Sequence, residues 1–169
     1  MAALDAIVAQ FPEIGKVAQI VPLGAGLINQ TLKVETEDPA APDYILQCIN
    51  NAVFQDVDML QHNIECVTRH IREKLEARGE TDIDRKVLRF LPTKEGKTYY
   101  FDGEKYWRVS VFIPRSQTLE AVTPESSYLV GLKFGEFEAM LADIPEKLGE
   151  TIPDFHNMEF RLKQLREAV

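Results

Sequence analysis

The stretch PLGAGLINQTLKVE, residues 22–35, contains two glycines separated by one residue and flanked by segments with the pattern of β-strands. Gly24, Ala25 and Gly26 form the turn between them. Glycine permits positive backbone φ angles and leaves backbone N–H groups uncovered by a side chain. The turn is therefore either a hairpin or bulge that needs glycine for its backbone alone, or a loop that holds a ligand.

Two known ligand-binding loops do not fit this turn. The pattern after it, residues 30–35, is that of a strand, so the turn is not the glycine fingerprint that opens a helix in dinucleotide-binding folds. A phosphate-binding loop of the Walker type is also excluded, because no Gly-Lys-Ser/Thr sequence is present. We predict that residues 24–29 form the mobile tip of a hairpin between antiparallel strands at residues 17–23 and 30–35.

The segments that follow predict one further strand and one long helix. Residues 44–49, YILQCI, have the apolar character of a third strand. After them, apolar residues recur at helical spacing, and Gly79 is a natural stop. The stripe consists of Val57, Leu60, Ile64, Val67, Ile71 and Leu75.

The middle of the chain returns to strand patterns. Residues 86–92, KVLRFLP, predict a strand that ends at Pro92, and residues 97–114 predict a hairpin with Asp102 and Gly103 in its turn. A short amphipathic helix is expected at residues 4–11. These patterns give a mostly antiparallel sheet with one long helix, in which Trp107 is expected to belong to the core or to a sheet face.

Beyond a linker at residues 116–124 the chain is predicted to be helical. One helix is expected from about residue 124 or 126 to 143 and another from about 155, where His156 lies, to 169. Their stripes are Val130, Phe134, Phe137 and Leu141, then Met158, Leu162, Leu165 and Val169. The last stripe still continues at Val169, so we expect a truncated helical lobe and self-association of this fragment through residues after Pro124.

Composition excludes several classes of protein. The net charge of −8 over 169 residues argues against a general nucleic-acid-binding protein. No apolar run approaches the length of a membrane span, and the first residues lack a signal-peptide pattern. Cys48 and Cys66 lie in apolar patterns and are expected to be buried thiols, which fits a reducing, cytoplasmic compartment.

Four stretches in order, GAGLINQT, YILQCINNAVF, NIECVTRHI and IPDFHNMEFRL, resemble the aminoglycoside phosphotransferase-like, or protein-kinase-like, family. The resemblance is strongest to its sugar-kinase branch, typified by N-acetylhexosamine 1-kinase. It implies an α+β fold, with a kinase-like N-lobe at residues 1–115 and the first helices of a C-lobe at residues 116–169. It also implies phosphorylation of a small sugar with ATP and Mg²⁺. Gly24, Ala25, Gly26 and Asn29 would then cover the nucleotide phosphates, and the hinge would contain Phe112 and Ile113.

The chain departs from that family in two ways. Gln47 stands where a basic residue commonly binds phosphate, so it is either a neutral phosphate contact or a polar residue on a strand face. The family's catalytic Asp and metal-binding residues have no counterpart, because no HxD-type motif occurs. Glu65 is either the helix carboxylate that holds the cation or a surface residue paired with Arg69. The alternative function is therefore a non-catalytic binding or regulatory module.

Overall fold

An antiparallel sheet forms the centre of the fold, and the computed structural model describes it within residues 2–24, 26–116 and 121–169. The elements are α1 (Ala2–Val8), β1 (Val17–Pro22), β2 (Gln30–Thr36), β3 (Tyr44–Ile49), α2 (Val57–Ala77), a 3₁₀ helix (Ile83–Arg85), β4 (Tyr100–Phe101), β5 (Tyr106–Val111), α3 (Pro124–Leu141) and α4 (Met158–Ala168). The strands follow the order β1-β2-β3-β5-β4 in the sheet, and the α+β class expected from the sequence is confirmed.

One face of the sheet is packed against α1 and the turn after it. Every second residue of the central strands points to this face, because side chains alternate along a strand. Val34, Leu46 and Val109 have no exposed surface there, and each such side chain contributes roughly 1.5–3 kcal/mol by burial. The helical side contributes Ile7, Val8 and Phe11.

The opposite face of the sheet carries α2 at one end. Ile49 of β3 packs there with Val57 and Leu60 of the helix. The helix begins after Asp56, whose carboxylate accepts a hydrogen bond from the N–H of Met59 at 2.8 Å. It ends before Gly79, which has a φ of +70°. The predicted helix and its glycine stop are therefore confirmed.

The strand predicted for residues 86–92 is wrong. The 3₁₀ helix precedes this segment, and only Phe90 pairs with β5, through a single bridge to Ser110. The reason is that its apolar residues serve different cores. Val87 packs beside Ile71 and Leu75 of α2, whereas Leu91 lies in the core between the sheet and α1.

The predicted hairpin is present, with a shorter first strand than expected. Asp102 closes the turn, because its carboxylate accepts hydrogen bonds from the N–H groups of Glu104 and Lys105. Gly103 has a φ of +104°, which favours glycine. Trp107 is buried, as expected, and its indole N–H donates to Asp102 at 2.7 Å.

Side chains on the outer side of α2 hold the segment that follows α3. Asn63 makes two hydrogen bonds with the backbone of Gly149, at 2.7 and 2.9 Å. Three further residues of the helix bind the same segment or the last turn of α3. These contacts are Arg69 with Glu146 at 2.5 Å, His70 with Asp143 at 3.1 Å, and Lys74 with Asp143 and, at 2.7 Å, with the Met140 carbonyl.

The last helix begins later than the sequence pattern predicted. Asn157 is its N-cap, because its side chain accepts a hydrogen bond from the N–H of Phe160 at 3.1 Å. His156 therefore lies before the helix and does not start it. Residues 153–156 form a turn, which includes Phe155 and His156, where helix was expected.

Most of the apolar side chains on α3 and α4 are in contact with water. Neither helix has a buried residue, and Tyr128, Phe134 and Met158 are 71%, 64% and 75% exposed. Soluble monomers seldom expose apolar patches of this kind. We therefore expect the chain to self-associate at tens of micromolar through α3 and α4.

Sedimentation velocity tests this expectation. The double variant Leu129→Glu with Phe134→Glu should be more monomeric than the unsubstituted chain. Phe101→Glu, a matched change of an exposed aromatic residue on the sheet, should leave association unchanged. A monomeric unsubstituted chain, or an equal effect of Phe101→Glu, would contradict the expectation.

Candidate functional site

The glycine turn joins β1 and β2 as the sequence predicted. Gly24 has a φ of +71°, and the N–H of Leu23 donates to the carbonyl of Thr31 at 3.0 Å. A Cβ atom on Gly26 would lie 2.7 Å from the backbone oxygen of Asn29, which is closer than real side chains approach. Ala25 lies outside the described residues. Both glycines therefore have backbone reasons for their identity, and these do not depend on a ligand.

Asn29 attaches the glycine turn to the end of β3. Its side-chain oxygen accepts a hydrogen bond from the N–H of Asn50 at 2.9 Å. The turn itself carries exposed apolar residues, with Leu27 fully exposed and Ile28 49% exposed. The structure thus brings the turn next to β3, on which Gln47 lies.

Three polar side chains form a row on the sheet face that carries α2. The strand register pairs Thr31 with Gln47 and Gln47 with Arg108. The amide nitrogen of Gln47 donates to the hydroxyl of Thr31 at 3.1 Å. In the other direction, Nε and Nη2 of Arg108 donate to Gln47 Oε1 at 2.9 and 2.6 Å. Gln47 is therefore engaged on both sides and presents no charge of its own.

The row continues to α2 through Gln61, which the sequence analysis did not single out. Arg108 Nη1 donates to Gln61 Oε1 at 2.9 Å. The Gln61 amide in turn donates to the hydroxyl of Thr98 at 2.9 Å, and this hydroxyl donates to Glu65 at 2.5 Å. An unbroken chain of hydrogen bonds thus joins β2 to the middle of α2.

Glu65 is exposed, as one of its two interpretations held, but neither of its predicted partners is found. Its carboxylate accepts from Thr98 and does not contact a cation on β3. The predicted surface pair with Arg69 is also absent, because Arg69 binds Glu146. Glu65 is linked to Arg108 only through neutral groups.

Arg108 is a half-buried cation without a carboxylate partner among the described residues. Burial lowers the pKa of Arg108 to about 10, so the guanidinium stays charged at neutral pH. Its carbon centre lies 5.3 Å from the centre of the Phe90 ring, a distance suited to a cation–π contact. A cavity of about 450 Å³ between α2 and residues 86–90 also reaches this side chain.

The two predicted hinge residues lie directly after β5. The N–H of Phe112 donates to the Asp43 carbonyl at 2.9 Å, and the Ile113 carbonyl accepts from the Ser116 hydroxyl at 3.2 Å. Within the described residues, the Phe112 carbonyl and the Ile113 N–H have no hydrogen bond. Lys33 lies 4.8 Å from the centre of the Phe112 ring and binds Glu35 and Asp43, each at 2.9 Å.

The sequence does contain a signal for Arg108 and Gln61, the two residues that were not predicted. Arg108 is the one charged residue in the strand YWRVSV, and Gln61 adjoins the apolar stripe of α2. A charged or amide side chain directed inward requires a polar partner. What the sequence could not give is the strand register that brings Arg108 to Gln47, 61 positions earlier.

Across residues 2–24, 26–116 and 121–169, no group of His, Cys, Asp and Glu side chains is arranged to hold a metal ion. None of the helices described is both long and apolar enough to cross a membrane. No protein-family model matches this chain.

The glycine turn gives a first test of the site. Gly26→Ala should lower the free energy of unfolding because the Asn29 carbonyl must move away from the new methyl group. Gly24→Ala should cost about 1 kcal/mol because its φ is positive. Urea unfolding measures both values. Gly15→Ala is the control, since it meets no atom within 4 Å, and equal stability of all three variants would contradict the account.

Asp43 gives a pH-dependent test. Its hydrogen bond with Lys33, then that from the Thr36 N–H, keeps the pKa of Asp43 below its usual range. The stabilisation is therefore present above the unfolded-state value of about 3.9 and is lost as pH falls through the lower folded value. Asp43→Asn should cost about 1 kcal/mol or less at pH 7 and flatten the fall in stability below about pH 4.

Urea unfolding at pH 7, 4 and 3 measures this difference. Glu37→Gln is the control, because Glu37 is an exposed acid in the same connection. A pH profile of Asp43→Asn parallel to that of the unsubstituted chain would show that Asp43 contributes nothing through its charge.

Proposed function

We propose that this chain forms the nucleotide-binding lobe of an ATP-dependent phosphotransferase that acts on a small hydroxyl compound. The observation that carries the proposal is the position of the glycine turn. It closes the β1–β2 hairpin at the end of the sheet where Asn29 joins Asn50, next to the polar row on β2, β3 and β5. A glycine hairpin beside a polar sheet face provides backbone N–H groups and a surface on which phosphates can lie.

The far end of the same sheet supplies groups suited to a nucleobase. The Phe112 carbonyl is an acceptor and the Ile113 N–H is a donor, and adenine presents one donor and one acceptor on its edge. The sheet spans the distance between this end and the glycine turn. The arrangement thus supports a nucleotide that lies along the sheet, with its base near the hinge residues.

The acceptor is assigned on the resemblance to sugar kinases alone. That resemblance favours an N-acetylhexosamine or a related sugar. Magnesium would accompany ATP in such a reaction. The described residues contain no cluster that fits the metal, so we assign it no ligand and derive no step from it. A cytoplasmic location fits the two free cysteines, Cys48 and Cys66.

The main alternative is a non-catalytic module that uses the same fold to bind a partner. It shares the sheet and α2 but requires no nucleotide. Nucleotide binding therefore separates the two proposals.

Calorimetry with the purified chain tests the proposal. We expect MgATP to bind more tightly than adenosine, because the phosphates add contacts at the glycine turn. Gly26→Ala should weaken MgATP binding, whereas Gly15→Ala should not. Absence of MgATP binding by the unsubstituted chain, with a normal unfolding transition, would favour the non-catalytic alternative.

A second experiment measures catalytic turnover. We expect no transfer of phosphate from ATP to N-acetylhexosamines by this chain alone, because its sequence contains no HxD-type catalytic motif. Phosphorus NMR on mixtures with a panel of these sugars would detect a sugar phosphate. Its formation at a rate proportional to protein concentration would contradict this expectation and place a catalytic base within the 169 residues.

A further inference from the structure

We propose that Arg108 provides the positive charge that binds the nucleotide phosphates, in place of a cation on β3. This inference rests on the proposed function, since it assigns a contact within that nucleotide site. Arg108 belongs to β5, but its guanidinium reaches across to β3 and contacts Gln47 Oε1 at 2.6 and 2.9 Å. The positive charge therefore lies beside Gln47, although it originates from the neighbouring strand.

The guanidinium keeps donors available after its internal contacts are counted. Arginine has five N–H groups. Two of them, on Nε and Nη2, donate to Gln47, and one on Nη1 donates to Gln61. One N–H on each terminal nitrogen has no hydrogen bond within the described residues. Two N–H groups on the terminal nitrogens of arginine are suited to a phosphate group.

The charge of Arg108 is also uncompensated within the described part of the chain. Its partners are two amide oxygens and the Phe90 ring, all of which are neutral. Lys33, which lies near this sheet face, is bound by Glu35 and Asp43, and Lys86, which lines the same cavity as Arg108, is bound by Glu80. A phosphate that approaches the face therefore meets these two lysines already neutralised, whereas Arg108 is not.

The two glutamines fix the direction of the guanidinium without cancelling its charge. Gln47 is held in turn by Thr31, and Gln61 by Thr98. Carboxylates at these positions would hold Arg108 as firmly but would remove its attraction for an anion. Gln47 and Gln61 are thus positioning residues, and Arg108 is the binding residue.

A purely structural role for Arg108 is the competing interpretation. In that case the side chain only ties the sheet to α2. The two interpretations differ in the ligands affected, because a structural tie influences all ligands alike, whereas a phosphate contact influences only ligands that carry phosphate.

Binding of MgATP, inorganic tripolyphosphate and adenosine to the full chain tests the proposal. Arg108→Met should weaken the affinity for MgATP and tripolyphosphate about ten- to a hundredfold, the range for loss of a charged hydrogen bond, and should leave adenosine unchanged. Arg89→Met is the matched control. It also removes one positive charge, but Arg89 is paired with Glu13 at 2.7 Å away from the polar row.

Gln47→Glu is a variant that can retain the hydrogen bonds of residue 47 with Arg108 and Thr31. The new carboxylate can still accept from Arg108, and the Thr31 hydroxyl can reverse to donate to it. Folding should be retained, while affinity for MgATP and tripolyphosphate should fall about tenfold or more. Unchanged affinity for both ligands in this variant would overturn the role of Arg108.

A measurement on the unsubstituted chain covers the case in which Arg108→Met does not fold. The Nε–H resonance of Arg108 should shift on addition of MgATP or tripolyphosphate and not on addition of adenosine. MgATP binding without such a shift would overturn the role of Arg108 and leave the proposed function standing. Tripolyphosphate binding with the shift, but without MgATP binding, would leave the anion site standing and overturn the nucleotide function.

Discussion

A half-buried guanidinium without a carboxylate partner in the described residues connects the sheet to its long helix. Removing a cation from water is costly unless hydrogen bonds replace those lost to the solvent. Here the amide oxygens of Gln47 and Gln61 replace them, from β3 and α2 respectively. Each glutamine then needs a partner for its own amide nitrogen, which brings in Thr31 and Thr98. One charge thus organises polar groups from four separate parts of the chain.

Local signals predicted most of the fold. The strands on either side of Gly24 are predicted by the strand pattern of their side chains, and the turn at Asp102 is predicted by the glycine beside it. Both signals involve only a few neighbouring residues. The long helix follows from its apolar stripe, and among its six buried residues only Gln61 is polar. The segment at residues 86–92 was misjudged because Val87 and Leu91 enter different cores, and sequence does not reveal which core an apolar residue joins.

The candidate site was less accessible to sequence reasoning than the fold. The resemblance assigned the glycine turn and Gln47 to one site, and the structure brings the turn next to β3 through the hydrogen bond between Asn29 and Asn50. Glu65 was given two plausible partners, and neither was right, because tertiary contacts brought Thr98 to it and Glu146 to Arg69. The contribution of Arg108 depends on the register between β3 and β5. A long helix and a loop separate these two strands in the sequence, so local patterns do not reveal the register.

The two-sided use of α2 has a mechanical consequence. Its inner side holds the Arg108 guanidinium through Gln61, and its outer side holds residues 143–149 through Asn63, Arg69, His70 and Lys74. The sheet and the segment after α3 are therefore both attached to the same helix. A small rotation of this helix about its axis would alter the aim of the guanidinium and the attachment of that segment together. The position of α2 thus couples the sheet to the C-terminal helices.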